Sequence, residues 1–387
     1  MHRVHGVKTA AALALFGALL APVQSGASTK WTLARAQAVL QHSAFLVTDE
    51  AQADKPDYQP VFNARASRSL RVVGGHFVFS GLAHDMLTGT DVGVRFTFKR
   101  PGRITGFQGP AADTSQPSFP IRAAFYYAWY PEAWFRYPVI PYSRFRPSLD
   151  LYSADDALTA HVHTDAMLYA HLDAGIYSWW GRGGYPPTDE RFGRYLAAAR
   201  TTPFRWAIYY EREGYANPSV EMIRADLEYI RDTYAGKPAY LKIDGRFVVY
   251  VYGNSEDSCD VTAARWRKAN TVGAYIVLKA FDGFRSCPLQ PDAWHQYSAA
   301  LSEYDLAPDA FMIAPGFDEW SEPAPRLARD LARWRADAAA MVASNARWQL
   351  VLTFNEWPEG TSVESAPEWA SPSGYGAYVD VLHEVLP

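Results

Sequence analysis

The chain has 387 residues, with 37 Lys+Arg against 41 Asp+Glu and a formal net charge of −4. That balance lacks the positive field that grips a phosphate backbone, which argues against a dedicated nucleic-acid binder. With 49% hydrophobic and 20% charged residues, the composition is that of a globular protein and not of a disordered one.

Residues 1–27 read as an export signal. Arg3 and Lys8 charge the leading segment, Ala10–Ala21 is apolar, and Ser25-Gly26-Ala27 offers a small-x-small cleavage pattern. The apolar run is shorter than the roughly 20 residues a bilayer span needs. The competing reading is an uncleaved anchor. The expectation is a secreted protein, extracellular or periplasmic and associated with the cell envelope, without an integral membrane segment after cleavage near Ser28.

Trp31–Phe45 places Leu33, Ala36, Leu40 and Ala44 at helical spacing. Alternating runs follow at Leu70–Val73, His76–Phe79 and Val92–Phe98, punctuated by Gly74-Gly75 and Arg100-Pro101-Gly102. Residues 28–110 are therefore expected to form a small α+β module whose role the sequence does not define. Residues 111–120, rich in Pro and Ser, read as a linker.

From Ile121 the pattern changes. Apolar strand-like runs fall at Ile121–Trp129, Ile176–Trp180, Phe204–Glu211, Phe247–Tyr252, Val272–Phe281, Trp294–Tyr297, Phe311–Gly316 and Trp348–Phe354. Helical stretches lie between most of them: Ala154–Ala174, Glu190–Ala199, Ser219–Tyr234, Asp260–Ala269 and Arg326–Val342, with Gly374–Val385 closing the chain. Asp155, Ser219 and Asp260 stand at N-cap positions. Continuous apolar strands separated by helices mean a parallel sheet covered on both faces. Eight such units predict an α/β fold, a (β/α)8 TIM barrel over residues 121–387. The sixth run is the weakest. Cys259 and Cys287 each follow a strand-like run by a few residues, and neighbouring parallel strands bring such loops together. A Cys259–Cys287 disulfide is expected in preference to two free thiols.

The active end of such a barrel is formed by the C-terminal ends of its strands. These ends carry Tyr126, Tyr127, Trp129 and Tyr130, then Trp179 and Trp180, then Tyr209, Tyr210 and Glu211, then Tyr250 and Tyr252. Further on come Asp282, Asp318, Glu319, Asn355, Glu356, Trp357 and Glu359. The whole chain holds 13 Trp, 24 Tyr and 20 Phe, and much of that surplus is core. Rings beside acids at several strand ends also suit carbohydrate chemistry, in which ring faces cover sugar C–H faces and carboxylates move protons. In Leu352-Thr353-Phe354-Asn355-Glu356-Trp357-Pro358-Glu359-Gly360-Thr361 an apolar strand runs into two carboxylates three residues apart. Pro358 stiffens the turn and Gly360 permits an unusual backbone angle. Two fixed carboxylates there can split acid and base roles. The alternative is a helix-capping Glu beside a surface Glu.

Three motifs carry a resemblance. Asn355-Glu356-Trp357-Pro358-Glu359-Gly360-Thr361, Phe125-Tyr126-Tyr127-Ala128-Trp129-Tyr130 and Ser178-Trp179-Trp180-Gly181 resemble, in order and spacing, motifs of the family 99 glycoside hydrolases, the endo-α-mannosidases and endo-α-mannanases. The resemblance covers residues 121–387 and leaves out the N-terminal module. It implies a retaining, endo-acting hydrolase of an α-linked glycan or polysaccharide. Glu356 would act as base on the sugar's own 2-hydroxyl and Glu359 as acid and then base, with no metal and no cofactor. Tyr126, Tyr127, Trp129, Trp179, Trp180, Glu211, Tyr252, Asp318, Asn355 and Trp357 would contact the substrate. The sequence departs from the family pattern at Pro358, where the family has His, and in the loop Pro131–Tyr137.

Other signals carry less. His161-x-His163 has the wrong spacing for two metal ligands on one helix face. Glu211 suits either a substrate hydrogen bond or an ion pair. Asp282 and Asp318 suit either turn capping or substrate contact. His295 and Tyr297 stand as candidate contacts. Arg326, Arg329, Arg333 and Arg335 read as a solvated helix face. Two alternatives to a hydrolase stay open: a non-catalytic carbohydrate-binding protein on a hydrolase scaffold, and an enzyme of envelope-glycan assembly. Oligomeric state is not encoded in any of these patterns.

Overall fold

The computed structural model describes residues 44–46, 61–74, 76–85, 91–100, 103–108, 112–253 and 257–387. The expected export signal lies outside the described residues. By contacts the chain divides into two units, Met1–Ala111 and Ala112–Pro387.

In the first unit the described residues form one antiparallel sheet of five strands in sequential order: β1 (Ala44–Leu46), β2 (Val61–Val73), β3 (His76–Asp85), β4 (Asp91–Arg100) and β5 (Arg103–Gln108). Val73 pairs with His76 and Arg100 with Arg103, at the two positions where turns are expected. The helix expected over Trp31–Phe45 is corrected at its end, where Ala44 and Phe45 pair with Asn63 and Phe62 as strand. Its earlier residues lie outside the described ones.

The second unit is a nearly closed, TIM-like barrel. Its strands are β6 (Ile121–Tyr126), β7 (Ala174–Trp179), β8 (Arg205–Tyr210), β9 (Lys242–Ile243), β10 (Arg246–Val251), β11 (Tyr275–Lys279), β12 (Ala293–His295), β13 (Glu303–Leu306), β14 (Ala310–Ile313) and β15 (Trp348–Val351). The parallel ladder runs β12-β11-β10-β8-β7-β6-β15-β14. All eight expected runs become its strands, the three-residue β12 included. Two short strands join antiparallel, β9 on β10 and β13 on β14. Every residue of β7 and β8 is buried, as expected for strands covered on both faces. Gly175 in β7 lets this packing close, because a Cβ there would stand 2.2 Å from the Trp206 ring.

The flanking helices follow the expected pattern with trimmed ends: Ala157–Tyr169, Thr188–Ala198, Val220–Ile230, Cys259–Ala269, Leu331–Ala343 and Ala377–Val385. Ser219 caps its helix by accepting from the Met222 N–H at 3.2 Å. Asp330 does the same for Leu331–Ala343 through the Arg333 N–H at 2.8 Å, so this helix starts later than expected. Asp155 and Asp260 are not N-caps. Asp155 pairs instead with the buried Arg191 at 2.8 Å, and Asp260 lies inside the helix that Ser258 precedes.

Residues 112–120 differ from a free linker. Arg205 pairs with Asp113 at 2.8 Å and donates to the Ser115 carbonyl at 2.7 Å. Gln116 donates to the Tyr240 carbonyl and accepts from the Lys242 N–H. The segment is thereby fastened to the barrel. Cys259 and Cys287 are joined in a disulfide, with Cα atoms 6.2 Å apart. Among the described residues no helix is long and apolar enough to cross a membrane.

Candidate active site

The ends of β15 and β6 build the centre of the mouth. Beyond β15 the Glu356 N–H donates to Thr353 Oγ1 at 2.8 Å, which turns the chain and aims the carboxylate inward. The Glu359 N–H lies against the Glu356 carboxylate. Gly360 follows at φ +63°, and a Cβ there would stand 2.7 Å from the Asp318 carbonyl. The left-handed angle and the close approach both demand glycine. Backbone hydrogen bonding from Asp318 N–H to the Glu359 carbonyl, 2.9 Å, fixes the same loop to the end of β14.

Asn355 clamps the first strand to the last. It accepts from the Tyr127 N–H and donates to the Tyr127 carbonyl, both at 2.8 Å, and Tyr130 OH donates to its backbone carbonyl at 2.7 Å. Beneath it Glu364 accepts from Trp357 Nε1 at 2.9 Å and from Tyr152 OH at 2.8 Å, and it pairs with His163 at 3.1 Å. His163 continues to Tyr126 OH at 2.8 Å. Asn355, Trp357, Tyr126 and Trp179 are thus fully buried and satisfied inside the protein, Trp179 by donating to Asp189. In this structure their polar atoms bond within the protein and brace the mouth.

Four carboxylates converge above this support. Burial raises Glu356 well above the ordinary value, and the charges of Glu359, Glu211 and Glu319 add to that. Burial and the nearby Glu319 raise Glu359 to about 7. Glu211 rises to about 8, first by burial, against the opposing Ser178 hydroxyl that donates to it at 2.7 Å. Trp180 Nε1 donates to the same Ser178 hydroxyl at 3.1 Å, so the ring and the acid are positioned together. Glu319 accepts from Tyr142 OH at 3.1 Å. Among the described residues Glu359 Oε2 and Tyr209 OH are buried without a hydrogen-bond partner.

Aromatic rings wall this cluster. Tyr127 stacks on Trp129 with centroids 4.6 Å apart, and Trp180 on Tyr215 at 5.1 Å. Tyr127 OH donates to Tyr297 OH at 2.6 Å. Tyr252 lies under the Lys279 ammonium, 4.6 Å from the ring centroid. Of the expected site residues, the fold gathers Tyr127, Trp129, Trp180, Glu211, Tyr252, Glu356 and Glu359. Asp318 sits at the rim, paired with Arg144 at 3.1 Å. Asp282 is exposed. His295 is fully buried in the barrel, its Nε2 against the Val251 carbonyl, and burial lowers it to about 4. Sequence reasoning missed Lys279, Tyr215 and Ser178 as members of the site. Lys279 was detectable as a cation ending an otherwise apolar strand. Arg329 is a correction too: it is no solvated face residue but stacks at 4.0 Å on Trp369 and 4.9 Å on Tyr378. Among the described residues no group of His, Cys, Asp and Glu is arranged to hold a metal ion.

A TIM-like barrel with convergent acids and rings at the C-terminal ends of its strands is the architecture of many glycoside hydrolases. The particular likeness is to solved structures of a GH99 endo-alpha-mannosidase from Bacteroides thetaiotaomicron. Two of these share 19% and 18% identity, each with a TM-score of 0.53; they cover 70% and 69% of this chain and 96% and 97% of their own. A structure described as a glycoside hydrolase-like protein follows at 16% identity and a TM-score of 0.51, over 72% of this chain and 97% of that one. At these identities the likeness is one of fold. No family model and no curated protein matches the sequence.

Proposed function

We propose that the protein is a secreted glycoside hydrolase that cleaves an α-linked glycan or polysaccharide, with Glu356 and Glu359 as its acid and base. The observation that carries this reading is the pair itself: two carboxylates three residues apart, held by Thr353 and Gly360, facing an aromatic wall and both raised by burial. A carboxyl raised towards neutrality is suited to giving and taking protons. The likeness in fold to GH99 endo-alpha-mannosidase structures is in keeping with this reading, and the endo-acting, retaining mode is what the motif resemblance implies.

In the mechanism that the motif resemblance implies, Glu356 takes the proton of the sugar 2-hydroxyl. O2 then attacks C1 while the C1–O bond to the leaving sugar breaks, and Glu359 gives its proton to the departing oxygen. In the second half Glu359 takes a proton from water, the water oxygen bonds to C1, the C1–O2 bond breaks, and O2 regains its proton from Glu356. Two inversions at C1 give retention. Tyr127, Trp129 and Trp180 cover the sugar faces, and Glu211 accepts from a sugar hydroxyl.

One observation favours the exchanged assignment as a second reading. Burial, with the charges of Glu359 and Glu211 added, raises Glu356 well above the ordinary value, which favours its protonated form. Glu356 would then be the donor to the leaving oxygen and Glu359 the base.

The test is product release from α-mannans, α-glucans and envelope polysaccharides by the wild type and by Glu359→Gln. Release by the wild type with a loss of at least about 10²-fold in the variant supports a hydrolase. Tight binding of one glycan with no release by either protein moves the reading to a carbohydrate-binding protein. Turnover that requires a nucleotide sugar moves it to glycan assembly.

A further inference from the structure

A cavity of about 880 Å³ lies at the ends of β10, β11 and β12. Pockets of roughly 300–1,000 Å³ are the usual size for small-molecule sites, so this one has room for more than a single sugar ring. Its lining mixes ring faces with hydrogen-bonding groups: Phe281, Phe284 and Tyr297 beside Lys279, Asp282 and Ser298. Apolar faces with a few placed polar groups are what a pyranose chain needs.

Two residues belong to both the cavity and the acid cluster. Tyr297 lines the cavity, bonds Tyr127 OH at 2.6 Å and feels the charges of Glu359 and Glu356. Lys279 lines the cavity, lies over the Tyr252 ring and feels the charge of Glu211. Tyr297 and Lys279 therefore stand between the cavity and the carboxylates. On the far side Cys259 and Cys287 line it, so the disulfide braces that wall.

We infer that this cavity binds the sugar units next to the one whose bond is cleaved, with Lys279 as the residue that selects them. The inference rests on the hydrolase reading above. The ammonium, held over Tyr252, donates to sugar hydroxyls at the inner end of the cavity, while Phe281 and Phe284 cover ring faces further out.

The experiment uses the full chain carrying Glu359→Gln, which keeps ligands intact. Its affinity for α-1,2- and α-1,6-mannotetraose and for maltotetraose is measured by calorimetry. Ser298→Trp, which fills the cavity, and Lys279→Met are then added singly. Each is expected to weaken binding of the preferred tetrasaccharide about tenfold or more, and Lys279→Arg to restore most of the loss at Lys279. Circular dichroism and the melting midpoint verify that each variant is folded. Unchanged affinity in folded Ser298→Trp and Lys279→Met overturns the cavity as a subsite. It leaves the hydrolase reading intact if the wild type still releases product. No binding of any tetrasaccharide, with no turnover by the wild type, overturns both. A crystal of the Glu359→Gln protein soaked with the preferred tetrasaccharide gives the location directly: sugar density within reach of Lys279 supports the inference, and density confined to Trp180 and Tyr215 refutes it.

Discussion

Arg329 holds the carbonyl of Gly360, with Nη2 2.9 Å from the oxygen, one residue beyond Glu359. The same nitrogen donates to the Ser362 carbonyl at 2.7 Å. The guanidinium is sandwiched among Phe145, Trp369 and Tyr378, and burial lowers it to about 10. A cation kept this dry must earn its place through the loop it fixes.

Replacing it tests that. Arg329→Met fills similar space and leaves two buried carbonyls without this donor. Unfolding in urea should show a loss of about 2–3 kcal/mol. The rate constant should fall about tenfold or more, because Glu359 loses its fixed position. An unchanged kcat in a destabilised but folded variant would limit Arg329 to stability alone.

Leaving groups distinguish the two assignments of acid and base. An aryl α-glycoside with a strongly acidic phenol needs little protonation as it departs. The carboxylate that serves as acid can therefore be replaced by Gln with a much smaller loss on that substrate than on a natural glycan. Under the mechanism first described, Glu359→Gln shows this rescue and Glu356→Gln loses about 10²-fold or more on both substrates. The reverse pattern supports the exchanged roles.

The raised acids make stability depend on pH. Glu211 rises from 4.5 to about 8 and Glu359 from 4.5 to about 7 in the folded protein. Between these limits the folded state binds more protons than the unfolded state, so stability falls as pH rises. One pKa unit corresponds to about 1.4 kcal/mol, so the loss from pH 5 to pH 8 is on the order of a few kcal/mol. Denaturant melts should show the fall, and Glu211→Gln should lessen it, with Glu356, raised as well, supplying part of what remains. A slope unchanged by this substitution would trace the effect to other groups.

The disulfide closes a loop across one helix and one strand, with a sequence separation of 28. A loop of that length stabilises by about 3–4 kcal/mol in the chain-entropy account. Cys259→Ser/Cys287→Ser should lower stability by about this much. It should also weaken tetrasaccharide binding in the Glu359→Gln background, since the bond forms one wall of the cavity. Stability lost with affinity unchanged would uncouple the bond from the cavity.

The barrel was legible because the eight strands of its parallel ladder are apolar runs separated by helical stretches. Even Ala293–His295, three residues long, was marked by the buried Trp294 and His295. The carboxylate pair was legible because Asn355 to Thr361 is a compact local motif. Substrate contacts were harder. Tyr126 and Tyr127 are neighbours of the same type, yet one bonds His163 beneath the mouth and the other bonds Tyr297 at it. Strand alternation separates them, and the sequence does not say which phase faces in. Arg329 and Asp155 were misread for a related reason. A charged residue looks solvated until its partners, far off in sequence, are known, and those partners are Gly360 and Arg191.

One more property follows from the way the barrel stops short of closing. Among the described residues no ladder joins β12 to β13 or β14, so the ring has a seam. Tyr304 and Leu306 of β13 border the cavity at that seam, opposite β12. Arg285, between β11 and β12, crosses it instead, its Nη2 donating to the carbonyls of Leu306 at 2.9 Å and Ala307 at 2.6 Å. The ring is therefore fastened at this point by a side chain and not by a ladder. Amide hydrogens along Glu303–Leu306 that face the gap should exchange ahead of those in β7 and β8.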